Sequence, residues 1–409
     1  MPICRSELVS MMRSSLSQTL AATLLALLAL SCAKPQPDLY FPSTAIHFEA
    51  SGALTQEVIL NTNQAWTLSC EESWVKLNPA SGAKDAAFTV SVEENISLRS
   101  RSALVTAQGG GLQAQLSISQ DGATPSRKTD SLALVSIYQA AHGDKWAAEI
   151  AWQLNKPIDQ WPGVVLLGDR VNALNMPPLT EAWTLPAAVG DLTEISSLSL
   201  SSASVEGPIP NQIYNLSKLE TLYLNENHFT GSISPKIAQL THLHVFSADY
   251  NEDISGDLPK EIGQLKELQA LMLNHTGVSG MLPEEWIGCS YLQTLEISNT
   301  QLSGIPDNFN HWTSLRILRL SGNAGLTGPL PASIGLCQYI RILALKDCNF
   351  TGNIPKSYAN LPDGCVSLTL SGNRLKGTVP SGVKAHTNWS RWNPKTNILP
   401  QQDGFGLSE

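Results

Sequence analysis

Eight glycines, from Gly207 to Gly377, recur at steps of 24 or 25 residues. Each opens a short element of the type Gly-x-Ile-Pro: Gly207-Pro-Ile-Pro210, Gly256-Asp-Leu-Pro259, Gly280-Met-Leu-Pro283, Gly328-Pro-Leu-Pro331, Gly352-Asn-Ile-Pro355 and Gly377-Thr-Val-Pro380. Gly231-Ser-Ile-Ser234 varies it, Gly304-Ile-Pro306 is one residue short, and a degenerate Trp183-Thr-Leu-Pro186 lies 24 residues before the first. A fixed period of this length means units that cannot bury their apolar faces alone and must stack. Ahead of each element stands an apolar pair two residues apart, among them Leu198/Leu200, Leu222/Leu224, Leu271/Leu273, Leu318/Leu320 and Leu368/Leu370. In a strand that spacing points both side chains inward and the residues between them outward. Three residues later comes Asn227, Asn251, Thr276, Thr300, Asn323, Cys348 or Asn373. An amide there can satisfy the buried backbone of a tight turn. Thr276, Thr300 and Cys348 do this less well, so their coils are expected to be looser. Adding Leu174/Met176 as a first coil gives nine coils and, at ~4.8 Å per strand, roughly 40 Å of parallel sheet.

The unit LxxLxxLxLxxNxLxGxIP resembles the plant-type leucine-rich repeat. The stretch before it, with Trp146, Trp152, Trp161-Pro-Gly-Val164 and Gly168-Asp-Arg-Val171, resembles the N-terminal cap of such repeats. Relatives often carry cysteines beside this element, whereas Gln160 and Leu166 stand here, so the cap is expected to hold by packing its tryptophans. Leu132, Leu134, Val135, Ile137 and Tyr138 give that cap a helical pattern with Asp130 read as its N-cap. Asp130-Ser131-Leu132 also resembles the acceptor that Bacteroidetes use for O-glycosylation. His386 to Ile398, with Trp389 and Trp392, is expected to cover the opposite end.

Residues 39–122 read differently. Short alternating runs at 45–49, 57–62, 66–69, 74–77, 87–92, 102–107 and 112–119 are broken by turn residues, and Gly109-Gly110-Gly111 joins the last two as a hairpin. Seven strands in this length indicate a β-sandwich. Trp66, Trp74, the turn Pro79 to Gly82 and the closing SISQDG resemble a BACON domain, a Bacteroidetes-associated module with an inferred carbohydrate role that in some relatives serves as a spacer. Trp66 and Trp74 are read first as core residues. The fold expected is thus an Ig-like β-sandwich followed by an α/β leucine-rich-repeat solenoid with a parallel concave sheet.

At the N-terminus, Arg13 precedes an apolar run from Leu20 to Leu30, too short to span a bilayer, and then Ser31-Cys32. Ala29-Leu30-Ser31-Cys32 resembles a bacterial lipobox, which implies acylation of Cys32 by several chains and stable anchoring. Met11 or Met12 serves equally well as the start of such a signal. The domain boundaries expected are 1–31 signal peptide, 32–38 tether, 39–122 sandwich, 123–129 linker, 130–170 helical cap, 171–385 repeats and 386–409 C-terminal cap and tail. Cys70, Cys289, Cys337, Cys348 and Cys365 form no CxxC or metal-ligand spacing and read as buried thiols. The net charge of −9 comes without basic runs, which leaves no nucleic-acid footprint.

The outward strand positions carry the functional expectation. Both ends of the strip are lined by Ser and Thr, while its middle collects Tyr223, Asp249, Tyr250, Met272, His275, Glu296, Arg319 and Lys346. Aromatic side chains beside charges compose binding patches. Asp249 and Glu296 lie two coils apart, at least ~9.6 Å between backbones, too far for a retaining glycosidase pair and at the limit for an inverting one. His228, His242, His244, His275 and His311 are expected on different coil faces, without a metal site or cofactor. The expectation is a monomeric, non-catalytic protein that binds on its concave face, aided by the BACON-like domain, with a structural display or spacer module as the alternative and a glycan-active enzyme as the minor one. Family resemblance adds a Bacteroidetes cell envelope, exported and anchored in the outer membrane. It implies as partner a glycan, a glycoprotein such as mucin, or another envelope or host protein.

Overall fold

The structure, a computed structural model, describes residues 37–408. Cys32, the expected signal segment and most of the expected tether lie outside the described residues. The chain divides into two compact units, the first ending at Ala123 and the second beginning at Thr124.

In the first unit two sheets share one apolar core. One has the order Leu39–Tyr40, Thr55–Thr62, Ala86–Val92, Val75–Asn78; the other runs Ala45–Phe48, Leu112–Gln120, Arg101–Gly109, Trp66–Ser69, Ser81–Gly82. Alternation decides which side chains go inside: Val58, Leu60, Phe88, Val90, Val105, Ala107, Leu116 and Ile118 are buried, their strand neighbours less so. Trp66 and Trp74 are both core residues. The Trp66 indole donates to Lys84 O at 2.8 Å, and Gly82 lies against its ring, where a Cβ would not fit. The Arg101 guanidinium sits 4.3 Å from the centre of the Trp74 ring. The hairpin between Arg101–Gly109 and Leu112–Gln120 turns on Gly110 and Gly111, both at positive φ, as a tight two-residue connection of this hand requires. Cys70 departs from the expected burial: it is only half-buried at the margin of this core.

The second unit opens with the helix Arg127–Ala140, and here an expectation needs correction. Ser126, not Asp130, is the N-cap, in a reciprocal capping box with Thr129. Asp130 lies one turn further in and is fully buried, accepting from Arg170 Nε at 2.9 Å, Arg170 Nη2 at 2.7 Å and Val171 N at 2.8 Å. Its carboxylate therefore ties the cap helix to the first coil, an investment that a fully buried charge requires. Ser131 spends its hydroxyl inside the helix, donating to Arg127 O at 2.9 Å. The cap tryptophans pack as a cluster, Trp146 edge-on to Trp152 and Trp152 stacked on Trp161 with ring centres 5.1 Å apart. Each indole N–H reaches a backbone carbonyl.

Nine parallel strands follow, Arg170–Asn175 through Ser367–Thr369, with Val164–Leu167 added antiparallel at the first edge. On the far side each coil closes in a short 3₁₀ turn that begins after the proline in most coils. Gly207, Gly231, Gly256, Gly280, Gly328, Gly352 and Gly377 all adopt φ between 75° and 91°, which explains why the period is written in glycine. Gly304, in the shortened element, pairs instead with Met281 through a register shift.

Inside the coils the asparagines act as expected. Asn227 Nδ2 donates to Leu200 O of the preceding coil at 2.7 Å and Leu224 O of its own at 2.9 Å, while its Oδ1 accepts from Val205 N at 2.9 Å. Asn251, Asn323 and Asn373 repeat the pattern. Thr276 reaches only back into its own coil, to Leu273 O. Thr300 leans on Asn323 Oδ1 at 2.6 Å, and Cys348 Sγ lies 3.4 Å from Leu320 O.

At the far end Trp392 is fully buried, donates to Cys365 O at 2.7 Å and stacks under His386. The tail then adds a strand, Gly406–Ser408, beside Arg374–Thr378, which the sequence did not announce. Gln402 Nε2 bridges Cys348 O, Asn349 Oδ1 and Gly372 O, reaching back over two coils.

Candidate functional site

The concave sheet sorts the eight expected residues into three rows. Strand register places Tyr223, Ser247, Met272, Glu296 and Arg319 side by side on consecutive coils. Two residues further along, Asn225, Asp249, Asn274, Ser298, Ser321 and Lys346 form the second row. Tyr250 and His275 are not outward strand residues, as the sequence suggested, but belong to a third row just beyond the strands. Glu226, Tyr250, His275, Asn299 and Asp347 all have φ of 55–58°, and Gly322 takes the same place at 74°. The reason is the ladder: in this left-handed turn each amide donates to the next coil, Glu226 N to Asp249 O, Tyr250 N to Asn274 O and His275 N to Ser298 O, at 2.8–2.9 Å. A Cβ at Gly322 would run into Asn299 Oδ1, so glycine there accommodates the amide of the preceding coil.

Polar contacts run across the coils as one chain. Asp249 Oδ1 accepts from Asn274 N at 2.6 Å, Asn274 Nδ2 donates to Glu296 Oε2 at 3.2 Å, and the Arg319 guanidinium donates to Glu296 Oε1. Asn274 Oδ1 in turn accepts from Ser298 N at 2.8 Å. Asn274 was missed from sequence, where it is one more strand amide; only stacking shows that it joins the two acids. Burial pushes the Asp249 carboxyl above its ordinary range and the Glu296 charge adds to this, while the Asn274 amide pulls the other way. Beside this chain the Tyr250 and His275 rings stack face to face, centres 4.4 Å apart and planes within 9°. His275 Nε2 meets Asn299 Nδ2 at 3.0 Å, and Tyr250 remains half exposed. Lys346 stands apart from this network, paired with Asp347 at 3.3 Å.

Two histidine expectations change. His242 and His244 do not lie on separate faces: His242 Nδ1 and His244 Nε2 approach the same Glu267 Oε2, at 3.3 and 3.4 Å. In the first unit His47, Glu49 and Asp121 bring one donor atom each to within 4.8 Å of one another, a grouping the sequence reading did not weigh when it expected no metal site. The four repeat cysteines are buried, with thiols pushed up to about 12 for Cys289, Cys337 and Cys365 and about 11 for Cys348, first of all by burial.

Comparison with known proteins fits this architecture. Residues 64–121 match the BACON family model, described as a putative binding domain, N-terminal, and residues 218–240 match a Leucine Rich Repeat model. The chain therefore carries a BACON domain and leucine-rich repeats. It is similar to Receptor-like kinase TMK2 of Arabidopsis thaliana, 29% identical over 225 residues, which is 53% of this chain and 24% of the relative. Receptor-like protein 35 of the same plant is 35% identical over 166 residues, 39% of this chain and 17% of the relative. The chain thus spans a quarter or less of the length of these relatives. Among solved structures, it resembles the leucine-rich-repeat ectodomain of the Arabidopsis receptor kinase GASSHO1/SCHENGEN3 in complex with CASPARIAN STRIP INTEGRITY FACTOR 2. That similarity has a TM-score of 0.59 and 28% identity, covering 63% of this chain and 31% of the other. No helix among the described residues is long and apolar enough to cross a membrane.

Proposed function

We propose that this protein is a non-catalytic binding module that takes an extended protein segment along the centre of its concave strip. The observation that carries the reading is the chain Asp249–Asn274–Glu296–Arg319, flanked by Tyr223, Met272 and the Tyr250–His275 stack. Its charged groups are already held by one another, which favours a preorganised contact surface over a reactive one. Glu296, paired with Arg319, is poorly disposed to serve as the base of a carboxylate pair. The similar plant ectodomain, solved in complex with its named partner, supports a protein ligand over a glycan.

The test is to pan a library of extended peptides against the protein and, in parallel, to probe a glycan array that includes mucin glycans. Peptides whose affinity falls at least about tenfold in Tyr223→Ala, Tyr250→Ala or Met272→Ala, with the melting curve unchanged, support the reading. Glycan binding lost in the same variants overturns the protein ligand, and silence on both arrays favours a display module. The first unit is read as a β-sandwich that serves as a spacer or as a second binding domain. Export and acylation at Cys32, with attachment to the outer membrane, are part of the proposal on the strength of the lipobox. Mass spectrometry of the mature N-terminus checks it, and an unmodified Cys32 overturns it.

A further inference from the structure

The first unit holds a grouping that the binding reading does not use. His47 and Glu49 are two residues apart at the end of the edge strand Ala45–Phe48, so an extended backbone projects both to the same face. That strand pairs in parallel with Leu112–Gln120, and its ladder continues past the last pair through Asp121 N donating to Phe48 O at 2.9 Å. The continuation sets the Asp121 carboxylate beside the two side chains from the neighbouring strand.

Protons decide how the ring is used. Ser119 Oγ lies 3.0 Å from His47 Nδ1 and 3.4 Å from Ile46 O, so it can accept from the ring while donating to the carbonyl. In the tautomer with its proton on Nδ1, Nε2 presents a lone pair. That lone pair faces Asp121 Oδ2 at 3.2 Å. Two lone pairs at this distance repel unless a positive centre lies between them. In a tetrahedral site with metal–ligand bonds of ~2.0–2.1 Å, neighbouring ligand atoms stand roughly 3.3 Å apart, close to the 3.2 Å between His47 Nε2 and Asp121 Oδ2, with the Glu49 carboxylate within 4.8 Å of both. The hydroxyl that fixes Nδ1 is also the kind of outer partner that orients ligating histidines. One imidazole with two carboxylates, half open to solvent, suits a borderline cation such as zinc better than calcium or magnesium, which prefer oxygen alone.

We propose that His47 Nε2, Glu49 and Asp121 bind one zinc-class divalent cation, pinning the edge strand to the end of Leu112–Gln120, with water completing the coordination. The competing account is a protonated His47 paired with Asp121.

Zinc alone, titrated calorimetrically into the full chain near neutral pH, separates the two. The site predicts one zinc per chain and a zinc-dependent rise in melting temperature. His47→Ala and Asp121→Asn should abolish both, and Ser119→Ala should weaken binding about tenfold, the cost usual for a lost outer partner. His242→Ala/His244→Ala should leave the isotherm unchanged, since Glu267 and its histidines lie in the other unit. Where His47→Ala disturbs folding without metal, Glu49→Gln, at an exposed carboxylate, takes its place. A parent chain that binds no zinc, or an isotherm unaltered by His47→Ala and Glu49→Gln but lost with the His242/His244 pair, overturns the proposal in favour of the protonated pair.

Discussion

Coils that end their strands in asparagine and coils that end them in threonine or cysteine face the same problem with unequal means. Behind every strand the backbone turns inside an apolar stack, leaving carbonyls and an amide that water cannot reach. Asn227, Asn251, Asn323 and Asn373 answer with two donors and an acceptor, each joining its own coil to the preceding one through a carbonyl of both and an amide of the preceding coil. Thr276 has one hydroxyl, spent within its own coil, and the Cys348 thiol is a weak donor at 3.4 Å. The difference teaches where cooperativity in the solenoid is carried: by amides that stitch neighbours, not by leucines alone. It also places the weakest stitching at Thr276 and Thr300, under the middle of the candidate binding strip.

The sharpest way to break the comparison is Asn323→Ala. It removes bonds to Ile297 O and Leu320 O and strips Thr300 of its acceptor, so a loss of about 3 kcal/mol or more in urea unfolding is expected at ~1–3 kcal/mol per orphaned buried group. A loss no greater than at an exposed position would show that the amides are dispensable. Asn251→Thr imposes the poorer solution on a good coil and should cost roughly 1–2 kcal/mol. The converse, Thr276→Asn, should gain about 1 kcal/mol and slow amide exchange in the fourth and fifth coils. Thiols provide a gentler probe. In the native protein iodoacetamide should modify half-exposed Cys70 first, and of the buried cysteines Cys348 ahead of Cys289, Cys337 and Cys365, because its thiol replaces the amide that ties the asparagine coils. The smallest effect concerns Asp249. A carboxyl whose pKa is raised on folding binds its proton more readily folded than unfolded, so its contribution to stability declines as pH rises through the carboxylate range. Asp249→Asn should flatten that slope slightly, as followed by melting temperature against pH.

Much of this was legible because the repeat writes its geometry into spacing. Leucines two apart, an asparagine three further on and a glycine after that read directly as strand, turn and bend, and nine parallel strands resulted. The eight strip residues were picked by the same counting, yet counting could not say that Tyr250 and His275 sit in left-handed turns, because Tyr seldom occupies such backbone and a lone His does not mark it. Asp130 looked like a cap because acids often start helices; its partner Arg170 is 40 residues away and has no local signature. The grouping of His47 and Glu49 with Asp121 was hidden the same way, behind a parallel pairing of the first and last long-range neighbours in its unit.

By itself, then, the sequence determined the period of the solenoid, the inward leucines, the asparagine ladder and the tryptophans that close its ends, since each of these follows from residue type and spacing within one or two turns of chain. Tertiary structure alone decided that Asn274 would join Asp249 to Glu296, that Arg319 would neutralise the latter, and that a serine would turn a histidine toward an aspartate. Those are meetings of side chains brought together by stacking and strand pairing, and the free energy of such contacts depends on ångström separations that no one-dimensional pattern encodes.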